Sequence, residues 1–188
     1  MKKSIFKLFT ISIITLFFVQ CGDGGKFNIS KGKVGKLTTV TIMSDLNEIF
    51  KNDSIVKNLS EGSLGDNYFQ DDDEYLVYEK GGKHLLTIIP KEQLDSTSTI
   101  KSIQIFDSRF KTKKGTSLDS KFEDINLNNT ITKVETSLSS ATLFIDDLNV
   151  TISIDKEDLG LKNFSTQKIS LEQIPGLAKV KTFIVWFN

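Results

Sequence analysis

The chain has 188 residues, with 24 acidic and 24 basic side chains, one cysteine and one histidine. Such a balance lacks the concentrated basic face that nucleic acid requires, and a single cysteine rules out a disulfide framework. The sequence contains no Walker loop, Gly-x-Gly-x-x-Gly, Gly-x-Ser-x-Gly or His-Glu-x-x-His pattern, so the familiar nucleotide, hydrolase and zinc-protease chemistries have no foothold.

The N-terminus reads as an export signal. Lys2, Lys3 and Lys7 precede the apolar run 8–19 (LFTISIITLFFV), and Gln20-Cys21-Gly22 follow. The apolar run falls within the ~7–15 residues of a secretory h-region and short of the ~20 needed to span a bilayer. Residues 1–20 are therefore expected to be a lipoprotein signal peptide. Cys21 would take diacylglycerol on its sulfur, and the amine freed by cleavage would be acylated with a fatty acid such as palmitate. Two or more acyl chains anchor stably where one is marginal. Phe18-Val19-Gln20-Cys21 resembles a relaxed lipobox of the kind found in Bacteroidota. With the leader gone, 21 basic side chains face 24 acidic ones, a mildly acidic body. The expected location is the cell envelope, lipid-anchored to a bacterial membrane and preferentially the outer one, with the body in the periplasm.

Residues 22–36 (GDGGKFNISKGKVGK) are rich in Gly and Lys and lack a periodic apolar face, which predicts a flexible tether over 21–36. The folded body then begins near Leu37, and two stretches of it run in parallel. From Thr41 and again from Thr116, a threonine-led start passes into a short amphipathic segment, then into strands at Ile55-Val56-Lys57 and at 131–134. Ser44 or Asp45 could cap a helix over Leu46–Phe50, and Asp119 or Ser120 one over Lys121–Ile125. Both helices are short enough that tertiary packing must hold them.

Hairpin-like strands follow in each stretch. The first has Tyr68-Phe69-Gln70, an acidic turn, Glu74–Lys80, the turn Gly81-Gly82, and His84–Ile89. The second has Ser140–Ile145, a turn at Asp146-Asp147, and Asn149–Ile154. The phrases Ile89-Pro90-Lys91-Glu92-Gln93-Leu94 and Ile154-Asp155-Lys156-Glu157-Asp158-Leu159 come next. Closing strands lie at Ile100–Phe106 and Val180–Phe187, the latter apolar on both faces and so expected to be central and covered on both sides. A spacing of roughly 75 to 80 residues with only two copies is no solenoid, which takes at least three. The prediction is α+β: a tandem duplicated unit of short helices packed on antiparallel β-sheet, with repeats at 37–110 and 111–188.

The stretch 103–125 holds the phrase Arg109-Phe110-Lys111-Thr112-Lys113-Lys114-Gly115. It resembles a strand-to-helix pattern in uncharacterised Bacteroidota envelope lipoproteins, although Leu118-Asp119 stands where a second Gly is usual. The duplicated helix-plus-sheet unit is similar to the β-lactamase-inhibitor-protein architecture, a likeness of fold that carries no function.

Candidate sites are few. His84, between Lys83 and Leu85, has no second ligand at metal spacing and reads as an ordinary strand histidine. Asp71-Asp72-Asp73-Glu74 lacks the alternating spacing of a calcium loop and reads as a solvated turn, as does Asp146-Asp147. Arg109, Lys111, Lys113 and Lys114 around Thr112 could meet an anionic headgroup or glycan, or simply keep a loop soluble. Tyr68, Phe69, Tyr75 and Tyr78 could form a ligand platform, but Tyr75 and Tyr78 fall on opposite strand faces, and core packing is the default reading. Asp53-Ser54-Ile55 and Asp95-Ser96-Thr97 resemble the Bacteroidota O-glycosylation signal, which implies modification at Ser54 and Ser96. The carboxylate pairs Asp45/Glu48 and Glu123/Asp124 fit helix N-termini better than the ~5–9 Å catalytic geometry of a hydrolase. The expectation is a non-enzymatic binding or scaffold module without cofactor or metal. It would contact the membrane through its lipid and an envelope protein through its body. The alternative is a protein inhibitor of a periplasmic enzyme.

Overall fold

Alternation of apolar and polar residues sets the frame. In Ser140–Ile145 it buries Ala141, Leu143 and Ile145, and in Thr182–Trp186 it buries Phe183 and Val185. The computed structural model describes residues 25–60, 72–162 and 166–188. In chain order the elements are β1 (Asn28–Ser30), β2 (Lys33–Val34), β3 (Leu37–Thr38), α1 (Leu46–Ile49), β4 (Ser54–Asn58), β5 (Glu74–Tyr78), β6 (His84–Pro90) and β7 (Ile100–Ile105). There follow β8 (Lys111–Thr112), α2 (Phe122–Asn128), β9 (Lys133–Thr136), β10 (Ser140–Ile145), β11 (Val150–Asp155) and β12 (Thr182–Trp186). The expected signal peptide 1–20, the expected lipidation site Cys21, the expected strand at Tyr68-Phe69-Gln70 and Asp71 of the acidic run lie outside the described residues.

Strands β4 to β7 and β9 to β12 form one antiparallel sheet of eight, in the order β4-β5-β6-β7-β12-β11-β10-β9. The fold is thus mostly sheet with a few short helices, α+β as expected. Two meanders of four strands, each preceded by a short helix, meet where β7 pairs with β12, Val185 opposite Ile103. A core row crosses this seam: Lys57, Tyr75, Ile88, Ile103, Val185, Val150 and Ile145 are successive register partners. From Tyr75 to Ile145 every side chain in it is buried. Burying one such aliphatic side chain contributes about 1.5–3 kcal/mol, so this row is a main source of stability. Strand β12 is central, as predicted. Only one of its faces is fully covered, however: Phe183 and Val185 are buried while Thr182, Ile184 and Trp186 stay half-buried.

The predicted tether is the main correction. From Lys26 onward the segment is ordered as β1 to β3, which with β8 make a second sheet in the order β3-β2-β1-β8. Each strand offers only one buried apolar side chain (Ile29, Val34, Leu37), too few to show any periodicity, yet all three join the core. The glycines here make turns rather than slack. Gly35 has φ +58°, and a Cβ on it would sit 2.4 Å from the Lys26 carbonyl oxygen. Strand β1 runs parallel to β8, Ile29 opposite Thr112, so the start of the body is sewn to its middle.

Both helices fall where predicted, but their ends are held differently. Asp45 sits at the α1 N-terminus without a capping hydrogen bond from its side chain. At α2 the position taken for Asp119 or Ser120 is Lys121. The first free amides, those of Phe122 and Glu123, donate to the carbonyls of Ala178 and Gly176 in the turn before β12, where Lys179 also bridges Lys121. A remote backbone does what a local cap was expected to do, which is how a seven-residue helix persists.

Candidate functional site

The register that builds the core also builds a second surface. On the opposite face, Val56, Leu76, Thr87, Gln104, Ile184, Thr151, Phe144 and Lys133 form one unbroken row across all eight strands. Beside it lie Ile89, Ser102 and Trp186, consecutive partners over β6, β7 and β12. Small hydroxyl residues sit low on this face: Thr87, Ser102 and Thr151 are buried. The larger Leu76, Tyr78, Ile89, Phe144, Ile184 and Trp186 stand half-buried around them, and Val56 is 53% exposed. The same strands that bury alternate residues completely thus leave this face partly wet, a pattern of aromatic and aliphatic side chains separated by shallow polar floor.

His84 is placed here. A bulge between Val77 and Tyr78 shifts the register so that Tyr78 pairs with His84. The imidazole lies between two rings, 4.7 Å from Tyr78 and 3.9 Å from Phe106 by centroid, nearly parallel to both. Its Nε2 is 3.1 Å from both the Leu86 carbonyl oxygen and Thr87 Oγ1. Burial pushes its pKa below the ordinary value, against the hydrogen bond to Leu86 and the charge of Glu74, so the ring is neutral at pH 7. Stacked between the two rings, the imidazole extends the aromatic surface of this face. Further along, Trp186 Nε1 donates to Thr151 Oγ1 at 3.0 Å, fixing the indole, and Lys133 lies over the Phe144 ring while pairing with Glu135.

The remaining candidate residues fall apart spatially. Tyr75 is in the core and Tyr78 on the outer face, as their alternation required. Asp73 is not solvated: it is 1% exposed, and its carboxylate accepts from the Ser60 amide and hydroxyl (both 2.8 Å) and the Leu94 amide (2.6 Å). Burial raises its pKa, and these hydrogen bonds outweigh that and hold it below the usual range. It is a loop anchor that also supports Leu94 at φ +56°. Its neighbour Asp72 pairs with Lys101. The exposed Asp146 and the turn it starts match expectation, with Asn149 at φ +51°.

The basic run divides. Arg109 is spoken for: it binds Asp107 through Nε and Nη2 and Glu79 through both terminal nitrogens, and its guanidinium stacks 4.4 Å from the Phe27 ring. Asp107 has a fully buried side chain and also pairs with Lys83 at 2.9 Å. Phe110 packs edge-on against Phe27, and Thr112 Oγ1 accepts from the Thr116 amide, so the Arg-Phe-x-Thr-x-x-Gly phrase is the corner joining the two sheets. Lys111, Lys113 and Lys114 are exposed. Asp45, Glu48, Glu123 and Asp124 are exposed too; Glu48 pairs with Lys51 and Asp124 accepts from the Lys121 amide, both helix-end duties. Ser54 begins the edge strand β4 and Ser96 lies in a turn beside Asp95, both exposed.

Among the described residues there is no cluster of three or more potential metal ligands and no helix long and apolar enough to cross a membrane. The outer sheet face, with its anchored aromatics, is therefore the candidate site. Sequence reasoning saw its residues singly; only the β7–β12 pairing makes them one surface.

No family model and no curated protein matches the chain. Among solved structures it is similar to that of the uncharacterized protein yfeY from Escherichia coli, with a TM-score of 0.53 at 12% identity, covering 85% of this chain and 99% of that one. At that identity the likeness concerns the fold alone.

Proposed function

We propose that this chain is a lipid-anchored envelope protein that uses the outer face of its eight-stranded sheet to dock a protein partner, without catalysis of its own. The observation that carries the reading is that face: half-buried Leu76, Tyr78, Phe144, Ile184 and Trp186 around a floor of Thr87, Ser102 and Thr151. Protein interfaces favour Tyr, Trp and Phe anchors that lose little rotamer freedom, set in a patch that excludes water when covered. The leader 1–20 and Cys21 supply the anchor in this reading, and they make it a member of the Bacteroidota-type envelope lipoproteins, with the body in the periplasm. The mirrored order of the sheet, with a short helix before each meander, supports descent from a tandem duplication of one unit, 37–110 and 111–188. Aromatic anchors on a broad sheet also suit the alternative reading, a partner that is a periplasmic enzyme held inhibited.

The test places a photoreactive phenylalanine analogue at Ile184 of the full chain in cells, with Leu127 on α2, 84% exposed, as the control position. A discrete protein adduct from position 184 and none from 127 is the expected result, and the adduct's identity separates scaffold from inhibitor. Absence of an adduct at 184, or the same adducts from both positions, overturns the docking face.

A further inference from the structure

A cleft of about 380 Å³ opens where the small sheet meets the β10–β11 hairpin, away from the outer sheet face. Its floor is apolar: Ile29 from β1, Ile145 from the end of β10 and Leu148 from the turn that follows. Ile29 and Ile145 are 2% and 1% exposed, so they are packed below and present only a surface to the cleft. Exposed Lys113 and Lys114 also line it, with one carboxylate among the lining residues, that of the exposed Asp147. Neither lysine has an ion pair among the described residues, in contrast to Arg109 four and five positions earlier, which is saturated by Asp107 and Glu79. The turn that presents them is fixed: the Thr112 amide donates to the Thr116 carbonyl, the Gly115 amide to the Thr112 carbonyl, and Gly115 sits at φ +87°.

We infer that this cleft binds a single-chain amphiphile, a short apolar tail against Ile29, Ile145 and Leu148 with an anionic head between Lys113 and Lys114. The size lies at the low end of the roughly 300–1,000 Å³ range of small-molecule sites, enough for part of one alkyl chain. The chemistry divides as such ligands require: apolar depth and two cations at the mouth, where an anion stays partly hydrated and desolvation costs little. The head could be the carboxylate of a free fatty acid or the phosphate of a lysophospholipid, which share chain and charge.

The full chain in phosphatidylcholine nanodiscs is irradiated with a dodecanoate carrying a diazirine near its tail, and the labelled peptides are mapped by mass spectrometry. Labelling of peptides holding Ile29, Ile145 or Leu148 is expected. The matching diazirine dodecanol should label these about fivefold less, and K113E/K114E should lower dodecanoate labelling by about the same factor, the scale of two exposed charge contacts. Leu148→Trp, which fills the cleft, should abolish it. Because Lys113 and Lys114 are exposed, their variants keep the fold, which amide exchange checks. Competition by unlabelled dodecanoate or by lysophosphatidylglycerol identifies which source fits better. Equal labelling by acid and alcohol, labelling unchanged in K113E/K114E, or failure of both competitors overturns the inference.

Discussion

Replacing Asp107 by Asn tests how the two sheets are joined. Its buried carboxylate accepts from Arg109 Nε at 3.0 and 3.1 Å, Arg109 Nη2 at 2.6 Å, the Arg109 amide at 2.9 Å and Lys83 Nζ at 2.9 Å. Removing one partner of a fully buried ion pair costs about 3–5 kcal/mol. Here the cations are part-exposed (Arg109 41%, Lys83 58%) and Arg109 keeps Glu79, so water and the second carboxylate recover part of that. Asn also retains one oxygen for the Arg109 amide. The expected loss is about 2–3 kcal/mol at pH 7, or about 5–10 °C in Tm for a body of this size. The loss depends on pH in a defined direction. Burial raises the Asp107 pKa, but the hydrogen bonds from Arg109 and Lys83 outweigh it and leave the carboxyl far below the usual range. Its stabilisation is therefore complete above the unfolded-state value of about 3.9 and is lost as pH falls toward the folded value. Urea unfolding of the two proteins at pH 7, 4, 3 and 2 should show a gap that is constant down to about pH 4 and then narrows. A gap below about 1 kcal/mol at neutral pH, the level of an ordinary surface pair, or one indifferent to pH, would refute the reasoning.

Three further outcomes follow from other parts of the molecule. Asp73→Ala should cost about 2–3 kcal/mol and should speed amide exchange at Ser60 and Leu94, whose donors lose their acceptor. Gly35→Ala, forced to φ +58° with its Cβ against the Lys26 carbonyl, should cost about 2 kcal/mol and expose the chain between Lys26 and Leu37 to protease before the large sheet is cut. Ile152→Ala in the core should cost about 3–4 kcal/mol, whereas Ile184→Ala on the outer face of the neighbouring strand should cost about 1 kcal/mol. Equal costs at 152 and 184, read by thermal unfolding, would mean that the outer face is not open.

The regular elements were legible because their signals are local. The alternation in SATLFI marks β10 to the residue, Gly81-Gly82 turns the β5–β6 hairpin with both φ values positive, and both helices sit where their amphipathic stretches predicted. What was not legible depends on partners distant in sequence. Strands β1 to β3 have two or three residues each, and only pairing with β8 gives Ile29 a place in the core. Asp73 looked like one of a solvated acidic run, since nothing near it announces that Ser60 and Leu94 will converge on its carboxylate. The candidate docking face had the same difficulty. Alternation says that Ile184 and Val185 point opposite ways, but which of them meets solvent is settled by what packs on each side of the sheet. Likewise the apparent match of Lys91 and Lys156 in parallel phrases conceals unlike surroundings, the first exposed and the second fully buried.

The seam between β7 and β12 also governs the order in which the molecule can be finished. Strand β7 is complete once residue 105 has been made, yet its second neighbour arrives only with residues 182–186. Until then β7 and β11 each present an unpaired backbone edge backed by core side chains such as Ile103 and Ile152, the kind of edge that recruits strands from other chains. A contact of such long sequence separation also closes slowly. During synthesis the chain is therefore most vulnerable at what later becomes its most protected line, and a holding chaperone would have the most to do there.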